Sequence, residues 1–297
     1  MYLNFYGLNE IPFGLTPNPR YIFKTDSYLE VISNLKYGIY HYKGLVVVTG
    51  EVGTGKTTTL RSMMEQLGPD ISAVYILNPY LTVSEFYELL AGGLRLGLSS
   101  GASKAEILNA LTLSLAQRHT KRLRTVLIVD EAHGLSPSVL EEIRLLANFE
   151  TNTEKLLQLV LCGQPELRET LNHPSLRQLK QRISLRCSIK PLGQFEINKY
   201  IRFRLKMAGA ARVDIIESQA LDLICRVSLG IPRVINNICD NALLQGYAMG
   251  YPVITRDIVD QVIDLLDLTR VETTSADSPD LSFPPHVLSS ISVHKQP

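Results

Sequence analysis

An apolar run, Leu45-Val-Val-Val-Thr49, passes without interruption into Gly50-Glu-Val-Gly-Thr-Gly-Lys56-Thr57 and then into a helical pattern. No other stretch constrains the fold of this chain as strongly. The segment fills the spacing G-x-x-x-x-G-K-[ST] in the context its chemistry requires, a strand ending in a glycine turn that opens a helix. Glycines let successive backbone N–H groups point inward, and the helix adds its positive N-terminal end. Residues Gly50, Glu51, Val52, Gly53, Thr54, Gly55, Lys56, Thr57 and Thr58 are thus the expected cradle for the phosphates of a nucleotide. Lys56 would reach the β- and γ-phosphates, and the Thr57 hydroxyl would ligate Mg²⁺.

A second apolar strand, Val126-Leu-Ile-Val-Asp130-Glu131, ends in two carboxylates. Asp130 is the expected Mg²⁺ ligand and Glu131 the group that polarises an attacking water. One carboxylate would only bind nucleotide; the second implies hydrolysis. Asp130-Glu-Ala-His133 also spells the tag of a large helicase class, but the helical remainder of the chain leaves no room for the second motor domain such enzymes need. His133 therefore reads as a helix-start or switch residue. A further strand ends at Gly163-Gln164, where Gln164 either orients the attacking water or caps the turn before Pro165.

Strand candidates Leu45–Thr49, Ala73–Leu77, Thr125–Val129, Leu156–Cys162 and Ile183–Ile189 alternate with amphipathic stretches up to about residue 190. Thr82-Val-Ser-Glu85 and Ser103-Lys-Ala-Glu106 are capping boxes, and Ser136-Pro137 pairs an N-cap with proline at the first helical position. This alternation predicts an α/β fold, a mostly parallel sheet sandwiched by helices. After Pro191 only helical patterns follow, over about 194–209, 217–228, 232–249 and 255–266, a small all-helical unit. The expected organisation is an aromatic- and proline-rich wrapping segment with a first helix (1–43), an α/β core (44–190), a helical lid (191–268) and a polar tail expected to be disordered (269–297).

Thirty Lys+Arg against 29 Asp+Glu leave a net charge of +1, so no global basic field advertises nucleic acid. The balance conceals a local excess. Between Arg177 and Lys206 stand nine basic residues against one acid, Glu196. A solvated helix face, a subunit contact toward a neighbour's triphosphate, or a nucleic-acid track would each account for it. No secretory signal opens the chain, and no apolar run reaches the roughly 18 residues needed to cross a bilayer. Cys162, Cys187, Cys225 and Cys239 form no Cys-x-x-Cys pair, which fits reduced thiols in the cytoplasm.

Together these motifs resemble the AAA+ ATPases. The opening Met1-Tyr-Leu-Asn-Phe-Tyr-Gly-Leu, Pro12-Phe-Gly-Leu-Thr-Pro-Asn-Pro, the phosphate loop, Asp130-Glu-Ala-His133, Gly163-Gln-Pro-Glu-Leu167 and Gly230-Ile-Pro-Arg233 resemble the ExeA/GspA (general secretion pathway protein A-like) family over about residues 1–268. The resemblance implies a self-associating, Mg²⁺-dependent ATPase that drives or licenses assembly of a secretion, pilus or exopolysaccharide envelope complex. More distant relatives regulate DNA transposition, so an ATP-dependent regulator that forms filaments on DNA is the alternative. By position, Gln164 resembles the sensor-1 residue and Arg233 the sensor-2 arginine. Asn78 resembles the residue that restrains the catalytic glutamate until a partner binds. Arg182, with Arg177 as the second choice, falls where the family places the arginine finger of a neighbouring subunit. Longer relatives continue into a membrane span and a peptidoglycan-binding region; the polar tail here implies a partner protein as anchor, with the chain cytoplasmic and peripheral to the inner membrane.

Overall fold

A sequence written as alternating apolar strands and amphipathic helices must cover both faces of its sheet, and the computed structural model shows how. It describes residues 2–77, 80–99 and 101–268. The expected tail at 269–297 and Asn78 lie outside the described residues. In chain order the elements are α1 (Tyr2–Tyr6), α2 (Asp26–Tyr40), β1 (Leu45–Gly50), α3 (Lys56–Glu65), β2 (Ile71–Ile76), α4 (Val83–Gly93), α5 (Lys104–Thr120), β3 (Arg124–Val129), α6 (Pro137–Leu146), β4 (Gln158–Gly163), α7 (Glu166–Asn172), α8 (Arg177–Gln181) and β5 (Ile183–Ile189). Helices α9 (Gln194–Met207), α10 (Ser218–Ser228), α11 (Pro232–Met249) and α12 (Arg256–Leu265) follow, and short 3₁₀ turns lie at Pro19–Tyr21, Ala132–Gly134 and Pro174–Leu176.

All five strands are parallel, in the order β2-β3-β4-β1-β5. Strand parity divides the core. Leu45, Val47, Leu127, Val129, Leu159 and Leu161 pack on the α4–α8 side, while Val46, Val48, Val126, Ile128, Val160 and Cys162 pack against α2 and α3. The central strands β1 and β4 are buried along their whole length, whereas edge strand β5 alternates, with Ser184, Arg186 and Ser188 exposed. Two strand starts differ from the sequence reading by two residues, and other bounds by at most one. Leu156 is drawn out of β4 because its N–H bonds the Phe149 carbonyl in a small antiparallel bridge, and β2 begins earlier, at Ile71, paired with Arg124. The helix starts are where the caps are: both capping boxes form, and Ser136 Oγ accepts from the Val139 N–H.

The helices after β5 enclose a second core of Ile201, Leu205, Ile224, Ile235, Leu243 and Val259, and Tyr6, Leu8 and Phe13 from the chain start lie in it. The Tyr2 and Tyr6 hydroxyls donate to Asp240 Oδ1 and the Tyr251 carbonyl, and the Asn9 N–H donates to the Ala208 carbonyl. The aromatic opening segment thus packs with the helical unit, while α2 packs on the sheet. Arg204 secures the junction. It is buried in α9, donates from Nε to the Pro12 carbonyl (2.6 Å), from Nη2 to the Gly14 carbonyl (3.2 Å) and from Nη1 to the Tyr200 hydroxyl (2.9 Å), and lies over the Tyr21 ring. That corrects one expectation: eight of the nine basic residues between Arg177 and Lys206 are exposed, but Arg204 is a buried structural cation and belongs to no surface track. The Arg202 guanidinium is also engaged, by Asp214 at 2.7 Å.

Candidate active site

Inserting β4 between β1 and β3 places three strand ends side by side at the carboxyl edge of the sheet, where parallel α/β folds collect their ligands. Gly50 ends β1, Asp130 and Glu131 follow β3, and Gln164 follows β4. Residues up to 114 positions apart, Gly50 and Gln164, meet there because Thr49 pairs with Gly163 and Val129 with Leu161.

The glycine loop needs its glycines for space and for backbone shape. Gly53 and Gly55 have φ of 81° and 94°, the left-handed region glycine tolerates. A Cβ at Gly50 would come within 2.9 Å of both the Ile189 carbonyl and Thr54 Oγ1, and one at Gly53 within 2.7 Å of Arg233 Cβ. Lys56, the first residue of α3, is buried, and its ammonium donates to the carbonyls of Gly50 (2.9 Å) and Glu51 (3.0 Å). Among the described residues it makes no ion pair, so a buried cation waits in the loop without a counter-anion. Phosphate oxygens are the fitting partner. The Glu51 side chain points to solvent; only its backbone belongs to the loop.

Asp130 is fully buried. Oδ2 accepts from the hydroxyls of Thr57 and Tyr75, each at 2.7 Å, and Oδ1 from the Glu131 N–H at 2.9 Å. Burial, and the hydrogen bond to this carboxylate, push the Tyr75 phenol well above its ordinary value, so it stays a donor at neutral pH. Thr57 hydroxyl and Asp130 carboxylate therefore supply adjacent hard oxygen donors, the set a small divalent cation such as Mg²⁺ requires. Glu131 has φ 52°, a left-handed backbone for a non-glycine residue. Such strain costs on the order of 1–3 kcal/mol and is retained where surrounding structure imposes it. His133 Nδ1 lies 3.4 Å from Glu131 Oε2, and His133 Nε2 lies 3.0 Å from Gln164 Nε2.

A cavity of about 350 Å³ joins these groups. Residues 52–58 of the loop, Glu131, Gln164 and Arg233 line it, as do Leu15, Tyr21 and Phe23 from the opening segment and Leu192, Pro232 and Asn236 from the helical unit. The Arg233 N–H donates to the Gly53 carbonyl at 3.2 Å, so the helical unit rests directly on the phosphate loop. Leu192 in turn passes so close to Gly230, φ 74°, that any Cβ there would overlap its carbonyl. Arg177 and Arg182 do not line the cavity. Both are exposed, and Arg182 stands at the other end of the sheet: Ile183, following it, pairs with Leu45 at the start of β1, on the order of 15–20 Å from the loop.

Sequence reasoning missed Tyr75 and Arg204. Tyr75 reaches Asp130 only because β2 pairs with β3, a long-range fact without a local signal. Arg204 had one: it falls on the apolar stripe of α9 with Ile197, Tyr200, Ile201 and Leu205, where a cation must find buried partners.

The fold and this site define the class, a P-loop fold of the AAA type, and the family described as "AAA domain" matches residues 39–171. Within that class, the chain is 42% identical over 250 residues to General secretion pathway protein A of Aeromonas hydrophila, a match covering 84% of this chain and 46% of that protein. The chain therefore spans about half the length of that relative. Solved structures share the fold at low identity. Cdc6p from Pyrobaculum aerophilum superposes with a TM-score of 0.68 at 20% identity, covering 86% of this chain and 70% of that one. The Aeropyrum pernix ORC2 protein gives 0.63 at 15%, covering 89% and 73%, and the Thermotoga maritima RuvB Holliday junction branch migration motor 0.54 at 18%, covering 82% and 70%. Among the described residues no helix is long and apolar enough to cross a membrane.

Proposed function

We propose that this chain hydrolyses ATP with Mg²⁺ and uses the cycle to drive or license assembly of an envelope complex of the secretion, pilus or exopolysaccharide type. The observation that carries the reading is the meeting of Lys56, Thr57, Asp130, Glu131 and Gln164 at three adjacent strand ends. The loop N–H groups of residues 50–58 and the Lys56 ammonium bind the phosphates. Thr57 and Asp130 would hold Mg²⁺, which would supply positive charge to the phosphates. Glu131 takes the proton of the attacking water, Gln164 orients that water, and Arg233 carries the nucleotide state into the lid, residues 191–268. Asn78 restrains Glu131 until a partner engages. Arg182, or else Arg177, completes the site of a neighbouring copy, a role that suits an exposed arginine far from its own loop. The secretion-related role is supported by the likeness to General secretion pathway protein A, and we place the chain in the cytoplasm, anchored to the inner membrane through a partner.

Phosphate release and titration with a fluorescent ATP analogue test this directly. Lys56→Ala should abolish nucleotide binding, whereas Glu131→Gln should keep binding and stop turnover. Normal hydrolysis by Glu131→Gln would overturn the reading. Arg182→Ala should be inactive alone and regain activity when mixed with Glu131→Gln subunits, which contribute an intact finger; absence of recovery in that mixture rejects Arg182 as acting in trans.

The alternative, an ATP-dependent DNA-binding regulator forming filaments, is favoured by one feature: the exposed Arg182, Arg186 and Lys190 along edge strand β5. ATP-dependent DNA binding whose affinity falls steeply with salt would support it.

A further inference from the structure

Strand β2 lies at the edge of the sheet beside β3, and none of its residues lines the nucleotide cavity. It nevertheless holds Asp130 twice. The Asp130 N–H donates to the Ile76 carbonyl at 2.8 Å, one step beyond the last β2–β3 pair, and the Tyr75 hydroxyl donates to Asp130 Oδ2 at 2.7 Å. Val74 and Ile76 belong to the core on the α4–α8 side, so Tyr75 stands on the other face of β2, with α3. Its strand partner Ile128 shares that face with Asp130 two residues further on, a span that a phenol bridges and a shorter hydroxyl side chain does not.

The hydrogens at this carboxylate can be assigned. Oδ2 also accepts from the Thr57 hydroxyl at 2.7 Å, and Oδ1 from the Glu131 N–H at 2.9 Å. Donors on both oxygens fit the ionised carboxylate, which only accepts, whereas a hydroxyl carries one hydrogen and two lone pairs. With its hydrogen committed to Oδ2, Thr57 keeps its lone pairs for a hard cation. Without Tyr75, Oδ2 would be held only by the hydroxyl that it has to orient.

We propose that Tyr75 is a positioning residue for the Mg²⁺ ligands: its hydroxyl fixes Asp130 Oδ2, and Oδ2 in turn fixes the Thr57 hydroxyl hydrogen, leaving the Thr57 lone pairs turned toward the cation. The inference rests on the proposed roles of Thr57 and Asp130. Tyr75 acts on the metal and not on the phosphates, because the Lys56 ammonium is held by the carbonyls of Gly50 and Glu51, which Tyr75 does not contact. Hydrogen-bond partners that orient metal ligands are typically worth about 10–100-fold in metal affinity, and the lower end suits a cation bound partly through water and phosphate.

Binding of a fluorescent ATP analogue titrated against Mg²⁺, a readout that needs no turnover, tests this. Tyr75→Phe removes one oxygen and keeps the ring. It should raise the Mg²⁺ concentration for half-maximal strengthening of binding about tenfold, while analogue affinity in EDTA stays within about twofold of wild type. In an Asp130→Asn background the carboxylate is gone, so adding Tyr75→Phe should change the Mg²⁺ requirement less than about twofold. A Mg²⁺ requirement of Tyr75→Phe within about twofold of wild type, an equal loss of affinity in EDTA, or a full further loss in the Asp130→Asn background would each overturn the proposal. A lower melting temperature with an unchanged Mg²⁺ requirement marks a purely structural tyrosine and overturns it too. Wild-type affinity that does not respond to Mg²⁺, or an Asp130→Asn variant with an unaltered requirement, removes instead the underlying reading of Thr57 and Asp130, an outcome distinct from any result with Tyr75 alone.

Discussion

Two regions of the molecule each bury a charge with no counter-ion among the described residues. At the sheet edge Asp130 is surrounded by the Thr57 and Tyr75 hydroxyls and the Glu131 N–H. In the helical unit Arg204 is surrounded by the carbonyls of Pro12 and Gly14, the Tyr200 hydroxyl and the Tyr21 ring. The electrostatic problem is the same, since a buried charge is tolerated only when dipoles replace water. The solutions differ in what can be exchanged. Two of Asp130's three donors are side-chain hydroxyls that rotate, and one of them, Thr57, lies in the first turn of the helix that follows the phosphate loop. Two of Arg204's acceptors are main-chain carbonyls of a packed segment. One site is built to trade partners with a ligand, the other to hold the chain start in place.

The contrast can be broken by exchanging the readouts. Asp130→Asn should cost roughly 10²–10³ in turnover while lowering the melting temperature little, because an amide of the same shape still bonds within the cluster. An unfolding midpoint that falls as far as that of Arg204→Ala would erase the distinction. Arg204→Ala should do the reverse: strip the Pro12 and Gly14 carbonyls of their donors, cost roughly 3 kcal/mol in denaturant unfolding, and leave kcat per folded molecule within severalfold. Arg204→Lys should retain part of that stability, having fewer donors to share among the same acceptors. Tyr75→Phe sharpens the description of Asp130 by removing one donor; about 1 kcal/mol of stability should go, with Thr57 and the Glu131 N–H still in place.

The smallest effect lies away from both charges, in the capping boxes of α4 and α5. Hydrogen bonds from the Thr82 and Ser103 backbone N–H groups hold the Glu85 and Glu106 carboxyls below their ordinary value of 4.5. Their contribution is thus complete above that value and is lost as pH falls through the lower folded values. The stability difference between wild type and a Glu85→Ala/Glu106→Ala variant should shrink in acid; a difference that grows there would contradict the bonding.

Much of this was legible before any coordinate. The phosphate loop, the strand ending in Asp130 and Glu131, and the capped helices are local patterns, encoded in neighbours a few residues apart, and β1, β3, α4 and α5 begin within a residue or two of the sequence reading. Gln164 and Arg233 were recognisable as candidates because each follows its own short motif. Tyr75, the carbonyls that take up Arg204 and the contact of His133 with Gln164 were not. Each depends on which segments pair, and pairing is decided by the burial of whole faces, to which no single residue gives a local clue.

By itself, then, the sequence determined the elements, their alternation and the loop chemistry, since periodicity, capping and glycine placement act over short range. Only the tertiary structure decided that β4 enters between β1 and β3, bringing Gln164 to His133 beside Glu131. It also decided that the aromatic chain start joins the helical core instead of lying on the sheet. Both outcomes follow from one physical cause: strands apolar on two faces and an aromatic segment too apolar for water must each find cover, and which surface provides it is settled by the packing of the whole chain.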